Sequence, residues 1–129
     1  MAERFISERN LKFLLYRVFH MDELTRYPYY QDHSEEIFDM VLDTALKLSK
    51  DKVFPILEEM DTNQPEFIDG HVTVHPHVRD LMGEFGEGGW INANYSYEFG
   101  GQQLPLSIVL ASRFIFFAAN YSASVYPSL

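Results

Sequence analysis

The sequence predicts an all-α protein, a helical bundle of four to five helices with one small β-hairpin. Apolar residues recur at helical spacing in several segments, and one Asp-Gly step separates two short β-prone runs. Strands do not alternate with helices, as a parallel sheet would require. With 129 residues, of which 47% are hydrophobic and 16% aromatic, the chain is suited to a single packed domain.

The first helix is predicted over residues 4–20. Four apolar residues follow one another at i, i+3, i+4 and i+7 and therefore share one face: Leu11, Leu14, Leu15 and Val18. Residues 27–30 contain a proline and interrupt this pattern. An amphipathic helix of this kind needs a partner that covers its apolar face.

The second helix is predicted to begin at Ser34, a good N-cap residue that precedes Glu35 and Glu36 at the positive end of the helix dipole. Its apolar residues form two sets, which predicts burial on more than one side: Ile37, Val41, Ala45 and Leu48, and Phe38, Leu42 and Leu46. Pro55 should kink or restart the helix, because proline lacks a backbone donor. A further helical piece is expected to about Met60.

Residues 67–74 predict a β-hairpin. Asp69-Gly70 stands between two short β-prone runs, and this dipeptide favours a type I′ turn. Strands this short are marginal by themselves, so we expect a small flap on a helical body.

The third and fourth helices are predicted after the hairpin. Glycines at 86, 88 and 89 should end the third helix. Its four apolar residues have helical spacing: Val78, Leu81, Met82 and Phe85. The fourth helix is expected from about Leu104 to Ser122, apolar on all sides like the centre of a bundle. A membrane span is not expected, because the apolar stretch is shorter than about 20 residues and contains Arg113.

Charge and composition exclude several functional classes. The net charge of −9 arises from 10 Lys and Arg against 19 Asp and Glu, so we expect no nucleic-acid partner. The absence of cysteine excludes disulfides, thiolate metal sites and a cysteine nucleophile. The N terminus lacks the features of a secretory signal, and the expected compartment is therefore the cytoplasm.

Motifs for catalysis or metal binding are weak. His71, His75 and His77 lie close in sequence, but no carboxylate stands at a characteristic ligand spacing, so surface histidines are favoured over a metal site. The sequence contains neither a nucleophile elbow nor a dinucleotide fingerprint. We therefore assign no catalytic, cofactor-binding or metal-ligating residue.

The most informative pattern is a glycine-rich segment between the third and fourth helices. It contains Gly-Gly-Trp at 88–90, Glu-Phe-Gly-Gly at 98–101 and Leu-Pro at 104–105. Paired glycines permit a tight turn, and Pro105 suits the first turn of a helix. Trp90 is expected to be a buried anchor that holds the two helices together.

This pattern resembles the N-terminal helical domain of the acyl-CoA dehydrogenases, in which a Gly-Trp or Gly-Leu step and a Pro-Glu-Tyr-Gly-Gly-like loop precede a long apolar helix. Tyr97 replaces the proline of that loop, Phe99 replaces its tyrosine, and Arg113 lies near a position where many relatives carry glutamate. The resemblance is closer to the larger bacterial branch that includes the methylmercaptopropionyl-CoA dehydrogenases. Segments similar to that branch occur in the same order at residues 10–18, 27–30, 70–76 and 118–129.

The resemblance implies that residues 1–129 form the first of three domains, with residues 1–33 as an extension typical of the branch and residues 34–129 as the core bundle. The absent middle β-domain and C-terminal helical domain would bind FAD. A glutamate of the last domain would remove the acyl α-proton while flavin N5 accepts the β-hydride. The full-length parent would be an FAD-dependent acyl-CoA dehydrogenase, and this chain alone would be inactive.

In that family the N-terminal bundle walls the acyl-chain cavity and packs on the other domains. Four aromatic residues are candidates for this wall: Phe116, Phe117, Tyr121 and Tyr126. Aromatic residues on a helix face are more often part of a core than of a ligand wall. The expected partners are the acyl-CoA substrate and the missing dehydrogenase domains, and the isolated chain should self-associate through apolar surface near residues 114–129. The alternative is a free-standing helical interaction module that binds a hydrophobic ligand or a protein.

Overall fold

The computed structural model describes residues 4–129 and confirms an all-α bundle with one small β-hairpin. Helix α5 packs against α2, α3 and α4, while the hairpin lies between α3 and α4 in the chain. The elements in chain order are α1 (Glu8–Phe13), α2 (Glu35–Leu48), α3 (Leu57–Thr62), β1 (Glu66–Ile68), β2 (His71–Thr73), α4 (His77–Glu87) and α5 (Leu106–Ser128).

Helix α1 begins at residue 8, later than the predicted residue 4, and continues as a π-helical turn over Leu14–Val18. The Phe19 N–H donates to the Leu14 carbonyl at 2.9 Å, an i→i+5 bond that widens the turn. Leu15 is buried, whereas Leu14 and Val18 are 44% and 47% exposed. The predicted apolar face is therefore wrong at these two positions, because the wider turn changes the phase of the side chains.

The predicted start of α2 is confirmed, since the Ile37 N–H donates to Ser34 Oγ at 3.2 Å. Both apolar sets are at least half-buried, and four residues are fully buried: Phe38, Leu42, Ala45 and Leu46. A π-helical turn over Ser49–Val53 follows α2, and a 3₁₀ turn over Phe54–Ile56 contains Pro55. The helix restarts as α3 directly after that proline, as predicted.

The hairpin has the predicted type I′ turn. Asp69 and Gly70 both have positive φ, at 49° and 83°, and Ile68 pairs with His71 across the turn. All six strand residues are exposed. The hairpin is therefore a flap whose strands lie outside the hydrophobic core, to which Val74 joins its second strand.

Helix α4 buries three of its four predicted apolar residues, and Met82 is the exposed one. Gly88 is its C-cap and Gly89 follows with φ +72°, whereas Gly86 lies within the helix. Trp90 is half-buried rather than buried. Its ring meets Phe116 edge-on at 5.1 Å between centroids, so it covers the rim of the core instead of filling the centre.

Helix α5 extends to Ser128, beyond the predicted end at Ser122, and Pro105 is its N-cap. Asn120 interrupts it with φ −165° and ψ 97°. Within residues 4–129, α5 is also the one helix long and apolar enough to cross a membrane, but 56% of its most apolar window is buried inside the protein. It is not enclosed on all sides as predicted, because neighbouring helices cover one of its faces and leave the other open.

Candidate functional site

The four predicted wall residues occupy different surroundings. Phe116 is 1% exposed and packs against Phe85 in the core, with 4.6 Å between ring centroids. Tyr126 is half-buried and packs against the same core. Half-buried Phe117 contacts Tyr121, which is 62% exposed, at 5.2 Å between ring centroids. The structure thus joins Phe117 and Tyr121 at the surface and places Phe116 in the core.

Phe117 and Tyr121 belong to a longer apolar stripe on the exposed side of α5. The first four residues are spaced by four, four and three positions, which keeps them on one face of the helix, and Tyr121 extends the stripe beyond the kink at Asn120 by its contact with Phe117: Leu106, Leu110, Phe114, Phe117 and Tyr121. We call these five residues the α5 apolar face. Four of them are between 50% and 62% exposed. Spacing alone indicated an apolar helix but could not show that this face lacks a covering element.

Two cavities in the core are too small for an acyl chain. A cavity bordered by Phe85, Trp90 and Phe116 has a volume of about 10 Å³, and a cavity bordered by Ile6, Leu46 and Ile115 is equally small. Each has room for about one water molecule. The α5 apolar face, by contrast, is accessible to an apolar ligand or partner at the surface.

One cleft of the structure has a lining that does not fit a flavin. This cleft lies between α3, the hairpin and the start of α4, is open and polar, and includes Glu59 and Glu66. These carboxylates would repel the diphosphate of FAD. No step of flavin chemistry is therefore assigned to the residues of this cleft.

Glu59, His75 and His77 form a cluster at the edge of this cleft. Glu59 Oε1 lies 3.2 Å from His75 Nε2, and Glu59 Oε2 lies 3.2 Å from His77 Nε2. Their three potential ligand atoms lie within 4.8 Å of one another. The carboxylate that sequence spacing did not reveal comes from α3, whereas His71 lies on β2 and is not in the cluster.

The two histidines of this cluster are held differently. The side chain of His75 is only 9% exposed, so it is not the surface histidine that the sequence favoured, while that of His77 is 35% exposed. Their rings stack with 4.8 Å between centroids. The backbone N–H of His77 donates to His75 Nδ1 at 3.3 Å. This contact leaves His75 Nε2 directed to Glu59.

A second polar cluster joins the N-terminal segment to α2. The Tyr16 hydroxyl donates to Asp39 Oδ1 at 2.9 Å, and Lys12 Nζ lies 2.8 Å from Asp43 Oδ1. Burial and the Asp39 carboxylate raise the pKa of Tyr16 well above its ordinary range. Burial lowers the pKa of Lys12, but hydrogen bonds to Asp43 and Glu8 outweigh this effect and raise it overall. The cluster has the character of a structural anchor rather than a catalytic site.

Comparison with known proteins adds no further assignment. The chain matches no protein-family model, and no curated protein is significantly similar to it. The resemblance to the acyl-CoA dehydrogenases therefore depends on the ordered residue patterns described above.

Proposed function

We propose that this chain is the N-terminal helical domain of an FAD-dependent acyl-CoA dehydrogenase. In this function the α5 apolar face packs against the other domains and contributes to the wall around the acyl chain. The ordered sequence patterns support the family, and the exposed stripe from Leu106 to Tyr121 is the structural observation that supports the packing role.

The α5 apolar face has the physical properties of a packing surface. Its five side chains carry no charge. Four of them share one side of α5 before the kink at Asn120, and Tyr121 contacts Phe117 from just beyond it. Burying the exposed half of each would contribute about 1 kcal/mol per side chain. A continuous apolar surface of this kind is characteristic of an interface, whereas single exposed apolar residues need no explanation.

The proposed contribution of this chain to the reaction is to exclude water and to support the acyl tail. Phe117 and Tyr121 are the wall candidates that are accessible at the surface, whereas Phe116 packs against Phe85 and Trp90 in the core. Proton and hydride transfer belong to the absent domains in the family that the chain resembles. The isolated chain is accordingly expected neither to retain FAD nor to oxidise acyl-CoA thioesters.

The native protein tests this function directly. Antibodies against this chain should isolate, from the cells that produce it, a yellow protein larger than 15.1 kDa that oxidises acyl-CoA with an artificial electron acceptor. A colourless species of 15.1 kDa would contradict the proposal and favour the alternative, a free-standing helical interaction module. The same face would then bind a hydrophobic ligand or a protein partner.

Self-association of the isolated chain tests the packing role of the α5 apolar face. We expect the wild-type chain to form dimers or larger species in sedimentation velocity, and Phe114→Lys to shift it to monomer because a charge is costly to bury. Phe67→Lys is the matched control, since Phe67 is an exposed phenylalanine on the hairpin. A monomeric wild-type chain, or equal effects of the two variants, would contradict a role for this face.

A further inference from the structure

Glu59 comes from one segment of the chain, whereas His75 and His77 lie two residues apart in another. Glu59 lies in α3, His75 follows strand β2, and His77 begins α4. The fold nevertheless brings one carboxylate and two imidazoles together, with each imidazole Nε2 3.2 Å from a Glu59 oxygen. This arrangement depends on tertiary structure and uses no residue of the α5 apolar face.

The separations in this cluster are close to those of a metal site. Zinc binds histidine nitrogen and carboxylate oxygen at about 2.0–2.2 Å, so neighbouring ligand atoms of a tetrahedral site lie about 3.3–3.6 Å apart. The two Glu59–histidine separations are 3.2 Å. The ligand nitrogens of His75 and His77 lie within 4.8 Å of each other and must move closer for both to bind one tetrahedral ion. The His77 side chain is more exposed than that of His75 and is the one that would move.

We propose that Glu59, His75 and His77 bind a divalent transition-metal ion and that zinc is the preferred ion. Two imidazoles and one carboxylate are a donor set that suits zinc and its neighbours in the first transition row, whereas calcium and magnesium prefer oxygen ligands. Glu59 and His75 also line the open polar cleft, which leaves a fourth coordination position accessible to water or a small ligand.

Zinc binding at this cluster requires a change of tautomer at His75. Because His75 Nδ1 accepts the backbone N–H of His77, the neutral His75 ring carries its proton on Nε2, toward Glu59. Zinc binds Nε2 once that proton has moved to Nδ1, so the His75 ring remains a neutral imidazole. The 3.3 Å contact to the His77 N–H is then lost.

The bound ion would also fix the position of the hairpin. All six strand residues are exposed, and the core contact nearest to them is that of Val74 directly after β2. A metal held by His75 would connect the end of β2 to α3 and α4. We expect zinc to slow amide hydrogen exchange in residues 66–73, which is a readout independent of the binding measurement.

Isothermal titration of the untagged, chelator-treated chain with zinc tests the proposal. We expect one ion per chain, and tetrahedral cobalt absorption when cobalt replaces zinc. Loss of a residue that only hydrogen-bonds to a metal ligand weakens metal binding by about 10–100-fold. Glu59→Gln and His77→Ala each alter a direct ligand and should therefore raise the Kd by at least about 100-fold. Glu58→Gln and His71→Ala are the matched controls, because both residues are exposed and neither belongs to the cluster.

Two results would overturn the site. One is the absence of saturable binding at one ion per chain, and the other is an equal loss of affinity in the cluster and control variants. Glu59→Gln decides the matter if His77→Ala does not fold, since the Glu59 side chain is 55% exposed and the substitution keeps its shape. Neither result bears on the proposed dehydrogenase function, which depends on different residues and on the native protein.

Discussion

Gly100 and Gly101 occupy the same turn, but each is required for a different reason. Gly100 has φ +74°, and nothing lies within 4 Å of a Cβ added to it. A Cβ on Gly101 would instead clash with the backbone carbonyl of Tyr95. That carbonyl accepts the Gln103 N–H at 2.8 Å and cannot move away without loss of this bond. The first glycine is required by backbone conformation and the second by space.

This difference predicts unequal costs for the two alanine substitutions. Gly100→Ala should lower the free energy of unfolding by about 1 kcal/mol, the cost of a left-handed conformation for a residue with a Cβ. Gly101→Ala should cost about 3 kcal/mol, because the clash is with backbone. Urea denaturation of both variants measures the difference, and equal losses would show that the turn can rearrange around Gly101.

At the scale of single elements, the kink in α5 has a defined hydrogen-bonding basis. Asn120 Oδ1 accepts the Ala123 N–H at 3.1 Å, so Asn120 is the N-cap of the last turns of the helix. Its Nδ2 donates to the Val53 carbonyl at 3.3 Å. Ser124 Oγ donates across the kink to the Phe116 carbonyl at 3.0 Å. These buried side chains satisfy backbone groups that a continuous helix would pair within itself.

Asn120→Ala should therefore destabilise the domain. The substitution removes an N-cap, worth about 1 kcal/mol, and leaves the Val53 carbonyl without this donor, which adds about 1–3 kcal/mol. We expect a total loss of about 2–4 kcal/mol in thermal or urea unfolding. Ser122→Ala is the control, since Ser122 is exposed in the same segment. A loss no larger than that of the control would contradict the capping role.

At the scale of the whole molecule, the segment predicted as a family extension is part of the packed structure. Ile6 and Leu15 are buried, and Ile6 borders the same cavity as Leu46 and Ile115. Tyr16 and Lys12 add polar contacts to α2. The N-terminal residues therefore share a core with the bundle rather than lying on it as a separate unit.

The contacts that Tyr16 and Lys12 make with α2 render the stability of the whole fold sensitive to alkali. The folded-state pKa values of Tyr16 and Lys12 are raised above their ordinary values of 10.0 and 10.5. The unfolded chain therefore loses these protons first, so this stability is complete below about pH 10 and declines as the pH rises above it.

Tyr16→Phe should reduce this decline, because phenylalanine cannot ionise. Urea denaturation at about pH 8 and about pH 11 measures the change in unfolding free energy for each protein. At about pH 8 the variant should lose about 1.5 kcal/mol with the hydrogen bond to Asp39. Tyr27→Phe is the control, since Tyr27 is exposed. An unchanged alkaline decline in Tyr16→Phe would contradict the assignment.

The sequence by itself determined the features that arise from neighbouring residues. Asp69-Gly70 predicted the type I′ turn because both residues tolerate positive φ, and Ser34 predicted the start of α2 because its side chain reaches the Ile37 N–H. Pro55 predicted the break before α3 because proline removes a backbone donor. Each signal depends on a few neighbouring residues and can therefore be recognised in the sequence alone.

Only the tertiary structure decided which surfaces are covered and which distant residues meet. The wider turn at residues 14–18 exposed Leu14 and Val18. No described element covers the α5 apolar face. Glu59 joined His75 and His77 through the packing of separate segments. Helical periodicity records that a face is apolar, but burial and side-chain clustering depend on contacts between segments far apart in the chain, which local sequence does not encode.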